Sequence, residues 1–126
     1  MSINKVILLG YTGKDPEVKD VAGTKVANLS LATTEKGYTL QNGIQVPDRT
    51  EWHSLIFWKG LAEVVEKYVR KGSQIYIEGK IKTRQYEDRT GSKRYVTEIF
   101  VDKLELLGSR LAQQEASPQS KLYQPE

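Results

Sequence analysis

The chain has 126 residues, 38% hydrophobic and 28% charged, which is enough for one modest core in a folded, soluble domain. It has no cysteine and one histidine, His53, which excludes disulfides, thiolate metal sites, a cysteine nucleophile and a His-rich metal centre. The net charge is only +3, no apolar run approaches the roughly 20 residues of a membrane span, and Val6–Leu9 is too short for a signal peptide, so a cytoplasmic protein without cofactor is expected.

In chain order, the apolar run over 3–11 predicts a buried strand, punctuated by a turn at Gly13, Asp15 and Pro16. Residues 25–34 predict a second strand, with Leu29, Leu31 and Thr33 on one face and Asn28, Ser30 and Ala32 on the other. A loop over 35–48 follows, and Asn42-Gly43 reads as the tip of a protruding hairpin. Residues 50–58, rich in aromatic and β-branched side chains, predict a third strand. The one helix is expected over 60–70, because Leu61, Val64, Val65, Tyr68 and Val69 recur at helical spacing, with Gly72 just past its end.

Residues 73–86 alternate as a strand, placing Ile75, Ile77 and Ile81 on one face and Tyr76, Glu78, Lys80, Lys82, Arg84 and Tyr86 on the other. A turn around Gly91 returns the chain through 94–101, and Leu104, Leu106 and Leu107 are expected to close the fold. Beyond Gly108 the sequence turns polar and carries two prolines, so the domain is expected over 1–110 and a disordered tail over 111–126. Five strands with a helix between the third and fourth is the order of an all-β OB-fold, a small partly open Greek-key barrel.

Charge is concentrated where this fold would use it. Between Arg70 and Arg94 lie eight basic and three acidic residues, so this stretch carries +5 while the rest carries −2. Such a stripe is the footprint of a polyanion binder, although a solvated charged hairpin would show the same composition. Aromatic parity favours the binder. Trp52 and Trp58 are six residues apart in one strand and share a face, while Leu55 and Phe57 point to the opposite, core side. Tyr76 and Tyr86 share the cationic face of the next strand with Lys80, Lys82 and Arg84. Flat rings set among cations suit a single nucleic-acid strand, whose bases stack while its phosphates are neutralised. Arg–aromatic contact within the face is the alternative account. Tyr38 stands in the loop, either as a further stacking ring or as an ordinary solvent-exposed aromatic.

Several segments, each weak alone, agree in order and spacing. They are Asn4-Lys5-Val6-Ile7-Leu8, Gly13-Lys14-Asp15-Pro16-Glu17-Val18, Val26 to Thr33, Thr50-Glu51-Trp52-His53, Leu61 to Val65, Tyr68 to Ser73, and Tyr76-Ile77-Glu78-Gly79-Lys80. With them the chain resembles the bacterial single-stranded DNA-binding protein family, the replication SSBs. The resemblance implies an OB-fold assembled as a homotetramer, with single-stranded DNA wrapped around it and no enzymatic activity. It assigns base stacking to Trp52, Trp58 and Tyr86, where the family commonly has Phe at the second position and Trp at the third. Tyr38 is the nearest match to a fourth family aromatic. Lys5, Arg70, Lys71, Lys82 and Arg84 match phosphate-contact positions, and His53 falls at a subunit contact. Lys59-Gly60 reverses a dipeptide common in the family. Family members usually end in an acidic tip that recruits replication and repair proteins; here the tail carries only Glu115 and Glu126 as acids, so either the chain is truncated or it lacks that recruitment mode, and of the possible replication and repair partners those that depend on the tip do not carry over.

Two other functions remain to be weighed. A metal-dependent nuclease would need clustered carboxylates, for which Asp15 with Glu17 and Glu87 with Asp88 are the only tight pairs. A protein adaptor on the same barrel would show neither steep salt dependence nor tryptophan quenching with DNA.

Overall fold

The computed structural model describes residues 1–107; the predicted tail and the last residues of the predicted domain lie outside the described residues. Eight strands and one helix follow in the order β1 (Val6–Thr12), β2 (Glu17–Val21), β3 (Thr24–Glu35), β4 (Tyr38–Thr39), β5 (Gln45–Val46), β6 (Arg49–Trp58), α1 (Gly60–Tyr68), β7 (Gln74–Glu87) and β8 (Lys93–Leu107). The main sheet has the order β1-β7-β8-β6-β3-β2, and a further pairing of β1 with β3 closes five of these strands into a barrel. That closure is short, Tyr11 facing Ala32 and Thr12 facing Leu31. The crossing that makes the barrel a Greek key is the parallel contact of β6 with β8, at Leu55–Ile99 and Ile56–Phe100. This is the expected OB-fold, with α1 between the third and fourth barrel strands.

Alternation in the strands builds the core. Leu29 and Leu31 on β3, Leu55 and Phe57 on β6, Ile75 and Ile77 on β7, and Ile99 and Val101 on β8 all turn inward. Full burial of each large side chain contributes about 1.5–3 kcal/mol. Ala62, Val65 and Val69 plug one end of the barrel from the helix side.

Four readings of the sequence need correction. The apolar run at the start is buried on one side only: Val6 and Leu8 pack against the core, while Ile7, Leu9 and Tyr11 are 57%, 52% and 56% exposed. An unbroken apolar run cannot reveal which of its faces meets water. Second, the segment after Pro16 is a strand, β2, hairpinned onto β3 through Ala22-Gly23, whose φ values of 52° and 84° make a tight two-residue turn. Third, the helix ends at Tyr68, because Val69 is already extended at φ −98° and ψ 132°. Its buried residues are Ala62 and Val65, and Tyr68 is exposed; Gly72 (φ 86°) belongs to the next turn, not to the helix end. The Arg70 guanidinium caps the last helical turn, donating to the Glu66 and Val69 carbonyls at 2.8 and 2.7 Å. Fourth, Ile81 is exposed, because β7 and β8 run on past the barrel as a projecting hairpin.

Two projections leave the barrel. The β7–β8 hairpin closes at Asp88, whose carboxylate accepts from the Thr90 and Ser92 N–H groups, the Thr90 hydroxyl and Arg94 Nε. Arg94 above all, with the Thr90 hydroxyl, holds this carboxyl down at about 2, below its ordinary 3.8. The second projection is the β4–β5 ribbon, turning at Gly43 (φ 88°) as the Asn42-Gly43 pair predicted.

Candidate nucleic-acid interface

The site is built outward from β6. Its inward residues, Leu55 and Phe57, fix the strand in the core, so Trp52, Ser54, Ile56 and Trp58 form one outer row. Across the antiparallel register this row faces Ala32, Ser30, Asn28 and Val26 of β3 in turn. On its other side, β8 brings Phe100 opposite Ile56, and β7 sets Lys80 opposite Phe100 and Lys82 opposite Glu98. The result is an open groove with Asn28, Ser30 and Ser54 in its floor, the Lys14–Glu17 segment on one bank and Arg84 with Glu98 on the other.

The two indoles mark the ends of the row. Trp52 is 60% exposed and Trp58 38%; six residues of strand separate them by about 20 Å. Trp52 lies against Gly13, and a methyl group added there would overlap its ring. Trp58 is accompanied by Phe100, with ring centroids 6.5 Å apart and planes inclined by 22°. Lys82 Nζ stands over the Phe100 ring at 4.5 Å, and the Arg84 guanidinium lies 5.9 Å from the Tyr86 ring centre. Arg84 is held by a two-point ion pair with the buried carboxylate of Glu98, at 2.9 and 3.2 Å. That hydrogen-bonded pairing raises the Arg84 pKa further.

The structure therefore brings together Trp52, Trp58, Tyr86, Lys80, Lys82 and Arg84. Other predicted residues lie elsewhere. Tyr38 is on the β4–β5 ribbon and exposed. Arg70 spends its guanidinium on the helix end, and the Lys71 N–H donates to Asp15 Oδ1 at 2.8 Å. Tyr76 follows the alternation of its strand but lies across from Leu9 of β1, and its hydroxyl donates to Glu78. Lys5 pairs with that same carboxylate at 3.0 Å. The two contacts, that of Tyr76 first, hold the Glu78 carboxyl below its ordinary range. His53 sits half-buried beyond the core residues of β6, with its Nε2 2.8 Å from the Thr33 hydroxyl.

Phe100 escaped the sequence reading. Ile99-Phe100-Val101 looks like an unbroken core run, and only the pairing to β7 shows that the middle residue turns outward. One carboxylate of each pair offered for a nuclease is engaged in a turn: Asp15 and Asp88 accept backbone hydrogen bonds. Among the described residues, no cluster of three or more metal-ligating side chains occurs. No helix among them is long and apolar enough to cross a membrane.

A closed OB barrel whose outer groove carries spaced rings and cations defines a nucleic-acid-binding protein of the single-strand type. Residues 3–107 match the model of the Single-strand binding protein family, and the chain belongs to that family. It is 56% identical over 111 residues to a Single-stranded DNA-binding protein of Bacteroides thetaiotaomicron, covering 87% of this chain and 69% of that protein. Among solved structures, the Plasmodium falciparum SSB in complex with ssDNA aligns with a TM-score of 0.77 at 31% identity, over 86% of this chain and 97% of that one.

Proposed function

We infer that this chain binds single-stranded DNA with little sequence preference during replication, recombination and repair, as a binding protein and not an enzyme. The observation that carries this reading is the outer row of β6, with Trp52 and Trp58 exposed on one face beside Lys80, Lys82 and Arg84. Bases stack on Trp52, Trp58 and Tyr86, and the phosphates between them meet the β7 cations. Because about 20 Å separates the two indoles, they take different bases, and the strand between them crosses the polar groove floor. Tyr38, on its ribbon, reaches a further base, and Lys71, with the Arg70 guanidinium nitrogens not bonded to the helix end, extends the phosphate track past the barrel end. Such a protein works where the DNA is, in the cytoplasm.

The assembly read from the family resemblance is a homotetramer. Its support is the exposed stripe of Ile7, Leu9 and Tyr11 on β1, continued by Tyr76 on β7. A contiguous apolar stripe whose neighbouring cation Lys5 is already paired with Glu78 suits another protein surface better than a polyanion. Lys5 and Glu78 border this stripe as an ion pair, and His53 is assigned to a subunit contact.

Titration with poly-dT, followed by tryptophan fluorescence at several salt concentrations, tests the function. Strong quenching with affinity falling steeply as salt rises is the expected result. An adaptor would show neither effect, and cleavage of the strand in the presence of a divalent metal would overturn the non-enzymatic reading.

A further inference from the structure

Three side chains from three adjacent strands stand together on the binding face: Trp58 of β6, Phe100 of β8 and Lys82 of β7. The Phe100 ring lies between partners of different chemistry. Its plane nearly follows that of Trp58, at 22° and 6.5 Å, and the Lys82 ammonium stands over it at 4.5 Å. Phe100 is itself only part-exposed, and its backbone is fixed from behind. A methyl group on Gly79 would collide with the Phe100 carbonyl, so β8 lies close against β7 here. An ammonium on a flexible four-carbon stem ordinarily samples many positions, and an aromatic face beneath it restricts them.

We propose that Phe100 is a positioning residue that couples base stacking at Trp58 to phosphate contact at Lys82, making the three side chains one nucleotide-sized subsite. The inference rests on the single-strand reading of this face and adds to it a residue that makes the two kinds of contact interdependent. Trp58 offers its ring to a base, Phe100 sets the tilt of that ring, and the cation held above Phe100 lies where the phosphate of the same nucleotide can reach it.

A double-mutant cycle on the full chain with oligo-dT, repeated over a salt series, tests this coupling. Phe100→Leu keeps an apolar side chain and should weaken binding roughly three- to tenfold. It should also lower the slope of log affinity against log salt by about 0.7, as if one phosphate contact were lost. Lys82→Gln should then add little in the Phe100→Leu background, and Phe100→Tyr should restore both affinity and slope. An unchanged slope in Phe100→Leu, with the full effect of Lys82→Gln retained, would show that Phe100 only packs, and would overturn the coupling. A variant-free measurement guards against misfolding: in the parent protein, the Lys82 side-chain protons should resonate upfield under the Phe100 ring current and shift when oligo-dT binds. Protons at ordinary positions that do not move would also overturn it. If Trp58→Leu and Lys82→Gln both leave affinity unchanged, the binding face itself is wrong, a result distinct from loss of coupling alone.

Discussion

Two exposed surfaces of the barrel carry apolar side chains, and they differ in how those side chains are spaced. On β1, Ile7, Leu9 and Tyr11 follow one another at every second residue, with Tyr76 across from Leu9. On β6, Trp52 and Trp58 are separated by Ser54 and the covered Ile56, and cations of β7 lie alongside. A contiguous stripe removes the most water when it meets another contiguous stripe. Spaced rings leave room for phosphates and sugars between bases, which a flat protein partner would not fill. The two proposed partners, a second protein surface and a DNA strand, are told apart by the rhythm of exposure and not by exposure alone.

The largest effect expected is at the contiguous stripe. Leu9→Asp would place an unpaired carboxylate in the proposed subunit contact, a penalty of about 3–5 kcal/mol. Light scattering should then give the mass of a monomer at micromolar concentration, with tryptophan quenching by DNA still present. If quenching vanished as well, the two faces would not be independent. Next, Trp52→Ala should weaken binding of oligo-dT by about 1–3 kcal/mol at matched salt without changing the assembly. An unchanged dissociation constant would remove Trp52 from the site.

A smaller effect is expected at the junction between the groove and the helix. Lys59 has φ 56° and ψ −123°, a conformation natural only to glycine. Lys59→Gly should stabilise the fold by about 1 kcal/mol, read from its denaturation midpoint, while both surfaces keep working. The smallest effect concerns pH. The Asp88 carboxyl titrates at about 2 in the folded turn against an ordinary 3.8. Because the folded value is the lower, its stabilisation is full above about pH 4 and is lost as pH falls toward 2. Amide exchange at Gly91 should accelerate over that window, and Arg94→Gln should shift the acceleration to higher pH.

Much of this was legible in the sequence because parity within a strand is a local property. Trp52 and Trp58 must share a face whatever lies beside them, and the cations at 80, 82 and 84 must share another. What parity cannot supply is the neighbour. Tyr76 obeys the same alternation as Tyr86, yet β1 lies beside one and the projecting hairpin carries the other. Ile81 reads as core by alternation but falls beyond the barrel end, where no second layer covers it. Phe100 was hidden for a related reason. The register irregularity near Glu78 and Gly79 lets Val101 and Leu104 both turn toward the core, so the inward rhythm along β8 breaks within one strand. β2 was missed because its own residues are mostly exposed, and its pairing depends on the two-residue turn at Ala22-Gly23.

The contact between Trp52 and Gly13 has a consequence for how a strand is first caught. With no side chain at 13, the outer edge of the Trp52 ring can lie against the chain there, a contact that narrows the choice of rotamers. Ordering a side chain at an interface costs about 0.5–1.5 kcal/mol, and if Trp52 stacks a base as proposed, the Gly13 contact takes part of that loss in advance. Tyr38 stands exposed on the β4–β5 ribbon, away from this contact. Strand capture should thus begin at the indole that is partly held in place and proceed outward, which puts residue 13 under constraint although it need never touch DNA.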